Sequence, residues 1–155
     1  MAHAILTTSN MMGTHIPSML VNMKLAAEVD NGNVVAIGAL ADGEKEAFVA
    51  SKPTVTTPLT GVALIAAPEL FTDERIKNLD QWVNEAGKIV RGYRLHTGDE
   101  FGLTADGFDG TPAIGNAVEL QASYKLKTVA SATASSTQVG TIIAQDNKYF
   151  IVRVG

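Results

Sequence analysis

The distribution of charge is the feature that most limits how this chain can fold. Residues 1–23 contain no Asp, Glu, Lys or Arg, yet they hold all five methionines, Met1, Met11, Met12, Met19 and Met23. Residues 53–68 and 128–145 lack the same four residue types. Charge keeps an exposed surface wetted and unassociated, so a stretch without it is either core or contact surface. The two internal stretches read as core strands. The first is broken by Thr7, Thr8, Ser9, Asn10, Gly13 and Pro17, which leave no regular period. It reads as an extended arm that adheres to something, with methionine as the adaptable contact residue. An edge strand folded onto its own domain is the competing reading. The division that follows is an arm over residues 1–23 and a single β-rich domain over 24–155, a length that buries roughly 70% of its unfolded surface without staples.

Strand and turn signals dominate the rest. Asp30-Asn31-Gly32-Asn33 lies between Leu25–Val29 and Val34–Ile37 and predicts a hairpin, because Asn-Gly suits a turn with positive φ at both central residues. Asp42-Gly43 predicts a second turn between Val34–Leu40 and Ala47–Ala50. Gly61–Ala67, bounded by Pro58 and Pro68, reads as a short buried strand. Gly140–Ala144 and Tyr149–Val154 flank Asp146-Asn147 and predict a tight hairpin, with Phe150, Val152 and Val154 on its inward face. Residues 123–137 suit a strand running into a loop. Ile76, Leu79 and Val83 fall at helical spacing, with Asp73 and Glu74 at the favourable end, and predict one short α-helix over about residues 73–84. Trp82 lies beside that stripe and is expected over a sheet edge. The expected fold is mainly β, a small barrel or sandwich with one short helix.

Composition excludes several chemistries. The chain has no cysteine, hence no disulfide, thiolate metal site or cysteine nucleophile. A net charge of −4 and a pI near 5.3 argue against a general nucleic-acid binder. The N-terminus lacks a signal peptide's basic and apolar regions, and no apolar run approaches the ~20 residues that cross a bilayer. No nucleophile elbow, phosphate-binding glycine loop, zinc-protease or dinucleotide motif is present. His3, His15 and His96 are scattered, and of the possible acid–base set Glu69, Asp73 and Glu74, the latter two are more simply helix N-terminal charges. Residues 98–110 gather four carboxylates without a cation, but they lack the ligand spacing of a calcium loop and read as solvated turns. Lys88, Arg91 and Arg94 form a positive cluster that suits a salt-bridging rim or a plain solvated face. No enzyme, cofactor or metal is expected.

Several runs carry a family resemblance. They are Ala67-Pro68-Glu69-Leu70-Phe71-Thr72-Asp73-Glu74-Arg75, Leu79-Asp80-Gln81-Trp82-Val83-Asn84-Glu85-Ala86-Gly87-Lys88, Arg91-Gly92-Tyr93-Arg94-Leu95 and Gly98-Asp99. Gly115-Asn116-Ala117-Val118-Glu119-Leu120, Lys125-Leu126-Lys127 and Val139-Gly140-Thr141-Ile142-Ile143-Ala144 continue the pattern. Over roughly residues 60–155 the chain resembles the head decoration, or auxiliary capsid, proteins of tailed bacteriophages. The resemblance implies a β-rich structural protein, made in the host cytoplasm, that stabilises the capsid from the virion's outer surface. It implies the major capsid protein as partner, together with neighbouring copies of itself, as homotrimers in some members, and no nucleic acid or membrane. Within the arm, Ile5, Leu6, Met11, Met12 and Ile16 are the expected capsid contacts, and removal of residues 2–17 is expected to leave a folded domain. The alternatives are a tail or head-fibre component, or a carbohydrate-binding β-domain displayed on the virion.

Overall fold

The computed structural model describes residues 3–16, 19–69 and 81–155, apart from the side chain of Met12. Among these residues twelve strands run in chain order: β1 (Leu6–Asn10), β2 (Leu20–Lys24), β3 (Val34–Leu40), β4 (Ala47–Ser51), β5 (Val62–Ile65), β6 (Ile89–Arg94), β7 (Glu100–Thr104), β8 (Phe108–Asp109), β9 (Ala117–Glu119), β10 (Leu126–Val129), β11 (Gln138–Asp146) and β12 (Tyr149–Val154). Five of them close a barrel in the order β2-β4-β3-β5-β6. The other seven form a sheet in the order β1-β7-β12-β11-β9-β10-β8. The fold is mainly β, as the sequence predicts.

The uncharged run around β5 explains how the two layers join. All four residues of β5 are buried, because the strand has covered faces on both sides. Ala63 and Ile65 pack with Val21, Met23, Leu25, Val29, Val35 and Ala50 in the barrel's interior. Val62 and Leu64 point the other way. With Val34 and Tyr93 they pack against Phe101, Leu103, Leu120, Leu126, Ile142 and Val152 of the seven-stranded sheet. A strand buried on both faces reads as a continuous apolar run rather than an alternation. Gly92 lets β6 close the barrel, since a Cβ there would stand 3.0 Å from the Ala63 Cβ and 3.3 Å from Met23 Cγ.

Two turns fall where expected. Asp42-Gly43 joins β3 to β4, with Gly43 at φ +78°, and Asp146-Asn147 joins β11 to β12, with Asn147 at φ 54°. Val152 and Val154 are buried and Phe150 packs against the core, while Arg153 faces solvent and pairs with Glu100 at 3.1 Å. Residues 126–129 form β10, and the chain then runs as a loop to β11.

Three expectations need correction, and a fourth lies mostly outside the described residues. Asp30–Asn33 is a turn but not a hairpin: Val29 forms a bridge with Asn84, and β3 pairs with β4 and β5. The division at residue 23 runs through β2, which pairs with both β4 and β6 and belongs to the barrel. The N-terminal segment is not a detached arm. Leu6 and Thr7 pair with Leu103 and Gly102, so β1 is an edge strand of the protein's own sheet. The helix over 73–84 lies outside the described residues as far as residue 80. Asn84, at the expected end of that helix, is in a β-bridge, its N–H donating to the Val29 carbonyl at 2.8 Å.

Candidate interaction surface

The N-terminal residues are fastened at three points. His3 Nδ1 lies 2.6 Å from Asp30 Oδ1, and the Ala4 N–H donates to Asp30 Oδ2 at 3.1 Å. The Ile5 N–H donates to Thr104 Oγ1 at 3.0 Å. The Thr7 hydroxyl accepts from the Gly102 N–H at 3.2 Å. Ala4, Ile5 and Met11 are buried, with Ala4 and Met11 part of the core between the layers. Ile5 and Met11 are therefore consumed by the protein's own packing and cannot also serve as contacts. Leu6 is half-buried against that core, Ile16 is 43% exposed, and the Met12 side chain lies outside the described residues.

Beside β1 opens a groove of about 220 Å³ lined by Leu6, Thr8, Asn31, Ala66–Glu69, Arg91 and Tyr93. Its wall is built by one buried asparagine. Asn31 Nδ2 donates to the Ala67 carbonyl at 2.9 Å and to Glu69 Oε1 at 3.1 Å. Asn31 Oδ1 accepts from the Ala67 N–H and from Asn84 Nδ2, both at 3.0 Å. Trp82 Nε1 completes the chain by donating to Asn84 Oδ1 at 3.3 Å. The network draws residues 67–69 and 82–84 together. The sequence shows Asn31 only as a turn residue, because the partners lie 36 and 53 positions away.

Strand alternation divides the positive cluster. Ile89, Arg91 and Tyr93 face out of the barrel, whereas Val90, Gly92 and Arg94 follow the interior face. Lys88 precedes the strand and lies 3.8 Å from Glu85. Lys88, Arg91 and Arg94 are therefore not one rim. A different set converges: cross-strand register puts Lys24 between Ile89 on β6 and Val49 on β4, all on the barrel exterior. Ile89 is 48% and Val49 42% exposed. Along the same strands Leu20 and Tyr93 are covered by the seven-stranded sheet, so the exterior passes from covered to open at Asn22 and Arg91. This open face needs three strands in register, and no single segment of sequence announces it.

The histidines do not meet. His3 pairs with Asp30, His96 Nδ1 lies 3.1 Å from the Thr97 carbonyl, and exposed His15 lines a shallow hollow with Met11, Ile16 and Asp99. In the acidic stretch Asp99 is buried and accepts from the His96 N–H, Glu100 pairs with Arg153, and Asp106 in a single helical turn and Asp109 on β8 both face solvent. Among the described residues no group of three His, Asp or Glu side chains could hold a metal ion. The fully buried Glu119 accepts from both the N–H and hydroxyl of Thr133 at 2.9 Å, tethering the loop before β11. No helix among the described residues is long and apolar enough to cross a membrane.

Compared with known proteins, the chain matches no family model, no curated protein and no solved structure.

Proposed function

We propose that this is a non-enzymatic structural protein that binds the outer surface of an assembled tailed-phage capsid and stabilises it. The observation that carries the reading is the resemblance of the runs within residues 67–99 and 115–144 to head decoration proteins. Its partners on this reading are the major capsid protein and neighbouring copies of the chain. The exposed aliphatic residues Ile16, Val49 and Ile89, with half-buried Leu6, offer apolar surface for such contacts.

The mechanism follows from repetition. A copy that touches two neighbouring capsid subunits bridges a seam that must open before the shell fails. Many modest contacts then add, because engagement of one subunit raises the local concentration at the next. Two layers sharing one core suit this role, since a load applied to either is carried by both.

Co-sedimentation with phage heads stripped of decoration, before and after expansion, tests the proposal. The expected result is saturable binding to expanded heads at a fixed number of copies per capsid subunit. No binding to either form would overturn it.

A further inference from the structure

We infer that the open face of the barrel and the neighbouring β3–β4 hairpin tip together form a self-association surface, through which two copies pair reciprocally. The inference deepens the contact between neighbouring copies named above, and its test in solution does not depend on the capsid. The face consists of Ile89, Lys24 and Val49 in one cross-strand row, with Asn22 and Arg91 beside them. Its cations are Lys24 and Arg91, with Lys88 at the margin against Glu85. The tip, residues 41–46, carries Asp42, Glu44 and Glu46 with Lys45 as its only cation.

Strand pairing makes these two patches neighbours. Ala47, the first residue after the tip, lies beside Asn22, which lies beside Arg91. The tip therefore stands at the Asn22 end of the face, and Val49, Lys24 and Ile89 lie toward the other end. Among the described residues no opposite charge lies within ion-pair distance of Lys24, Arg91, Asp42, Glu44 or Glu46. The two patches of one copy do not satisfy each other.

Charge then selects the geometry. Face against face would oppose Lys24 and Arg91 to their own copies, and tip against tip would oppose carboxylates. A two-fold axis lying in the interface and across the strands avoids both, because each tip then covers the far end of the other copy's face. An isologous contact of this kind makes every favourable pair twice. The tip carboxylates then meet Lys24 and Arg91 beside the Val49–Ile89 row. A standard interface covers roughly 800 Å² per partner, about a tenth of the 8058 Å² of this surface. Face and tip supply fewer residues than such an interface, so the dimer is weak, reversible and sensitive to salt.

Sedimentation equilibrium of the full chain at low and high ionic strength provides the test. Wild-type protein is expected to form a reversible dimer that salt dissociates. Charge reversal of the face (K24E with R91E) or of the tip (D42K with E46K) is expected to weaken it by roughly tenfold or more. An equimolar mixture of the two variants is expected to pair again, since an acidic tip then meets a basic face and a basic tip an acidic one. Circular dichroism checks that each variant is folded. Should either fail to fold, carbodiimide cross-linking of Lys24 to Asp42 or Glu46 between differently isotope-labelled wild-type copies reads the same contact. A wild-type monomer at all concentrations, a trimer, variants that dimerise like wild type, or a mixture that stays monomeric would each overturn the inference. So would a monomer whose reversed face abolishes binding to heads, which would assign that face to the capsid.

Discussion

Asn31 is 2% exposed and uses its whole side chain: both amide hydrogens donate and the carbonyl oxygen accepts twice. A buried amide with every site filled is a strong local constraint, because deleting it leaves several partners unpaired at once. The Ala67 N–H and carbonyl and the Asn84 amide would lose their partner on truncation to Ala. Asn31→Ala is therefore expected to cost on the order of 3 kcal/mol, read as a lower midpoint in urea with an unchanged slope. A loss below about 0.5 kcal/mol, typical of an ordinary surface substitution, would show that water replaces the network without penalty. Glu119 plays a similar part for the loop at Thr133, again through contacts far shorter in space than in sequence.

At the scale of elements, β1 is the piece whose meaning changed most between sequence and structure. Its residues carry no charge because they are core and edge strand together: Ala4 and Met11 fill the layer interface, while Thr7, Ser9 and Asn10 face solvent. Deleting residues 2–11 would strip β7 of one of its two partners, leaving β12, and open that core. The expected outcome is a clear fall in melting temperature with increased binding of a hydrophobic dye. A truncated chain that melts like the full one would show that β1 is dispensable to the fold. The strands and turns legible in advance were local ones: Asp42-Gly43, Asp146-Asn147, the alternating face of β12 and the doubly buried β5. Each is written within a few residues by period or turn chemistry. The hairpin expected at Asp30–Asn33 failed because, of the two central residues, only Gly32 takes positive φ, and the segment before the turn pairs at Val29 with distant Asn84 rather than with β3. The positive cluster failed because strand alternation, not sequence proximity, decides which cations share a face. The open face at Lys24 was invisible for the converse reason, being assembled from three separate strands.

For the whole molecule, the decisive point is that barrel and sheet share one core. Leu64 is fully buried between them. Leu64→Ala is expected to cost about 2–5 kcal/mol and to lower a single unfolding transition rather than split it in two. Calorimetry checks this: equal calorimetric and van't Hoff enthalpies are expected, and two resolved transitions would show that the layers unfold separately. The order of strands has a further consequence, for synthesis. The barrel, residues 20–94, is spliced between β1 and the rest of its sheet, and Thr7 meets Gly102 only across 95 positions. At ribosomal rates of roughly 5–20 residues per second, β1 leaves the exit tunnel about 5 to 20 seconds before its partner strand. The barrel's interior is complete by Arg94 and can close in that interval, whereas an uncharged, methionine-bearing strand waits unpaired. For that interval the nascent chain carries an uncharged strand whose backbone donors and acceptors have no partner strand to meet.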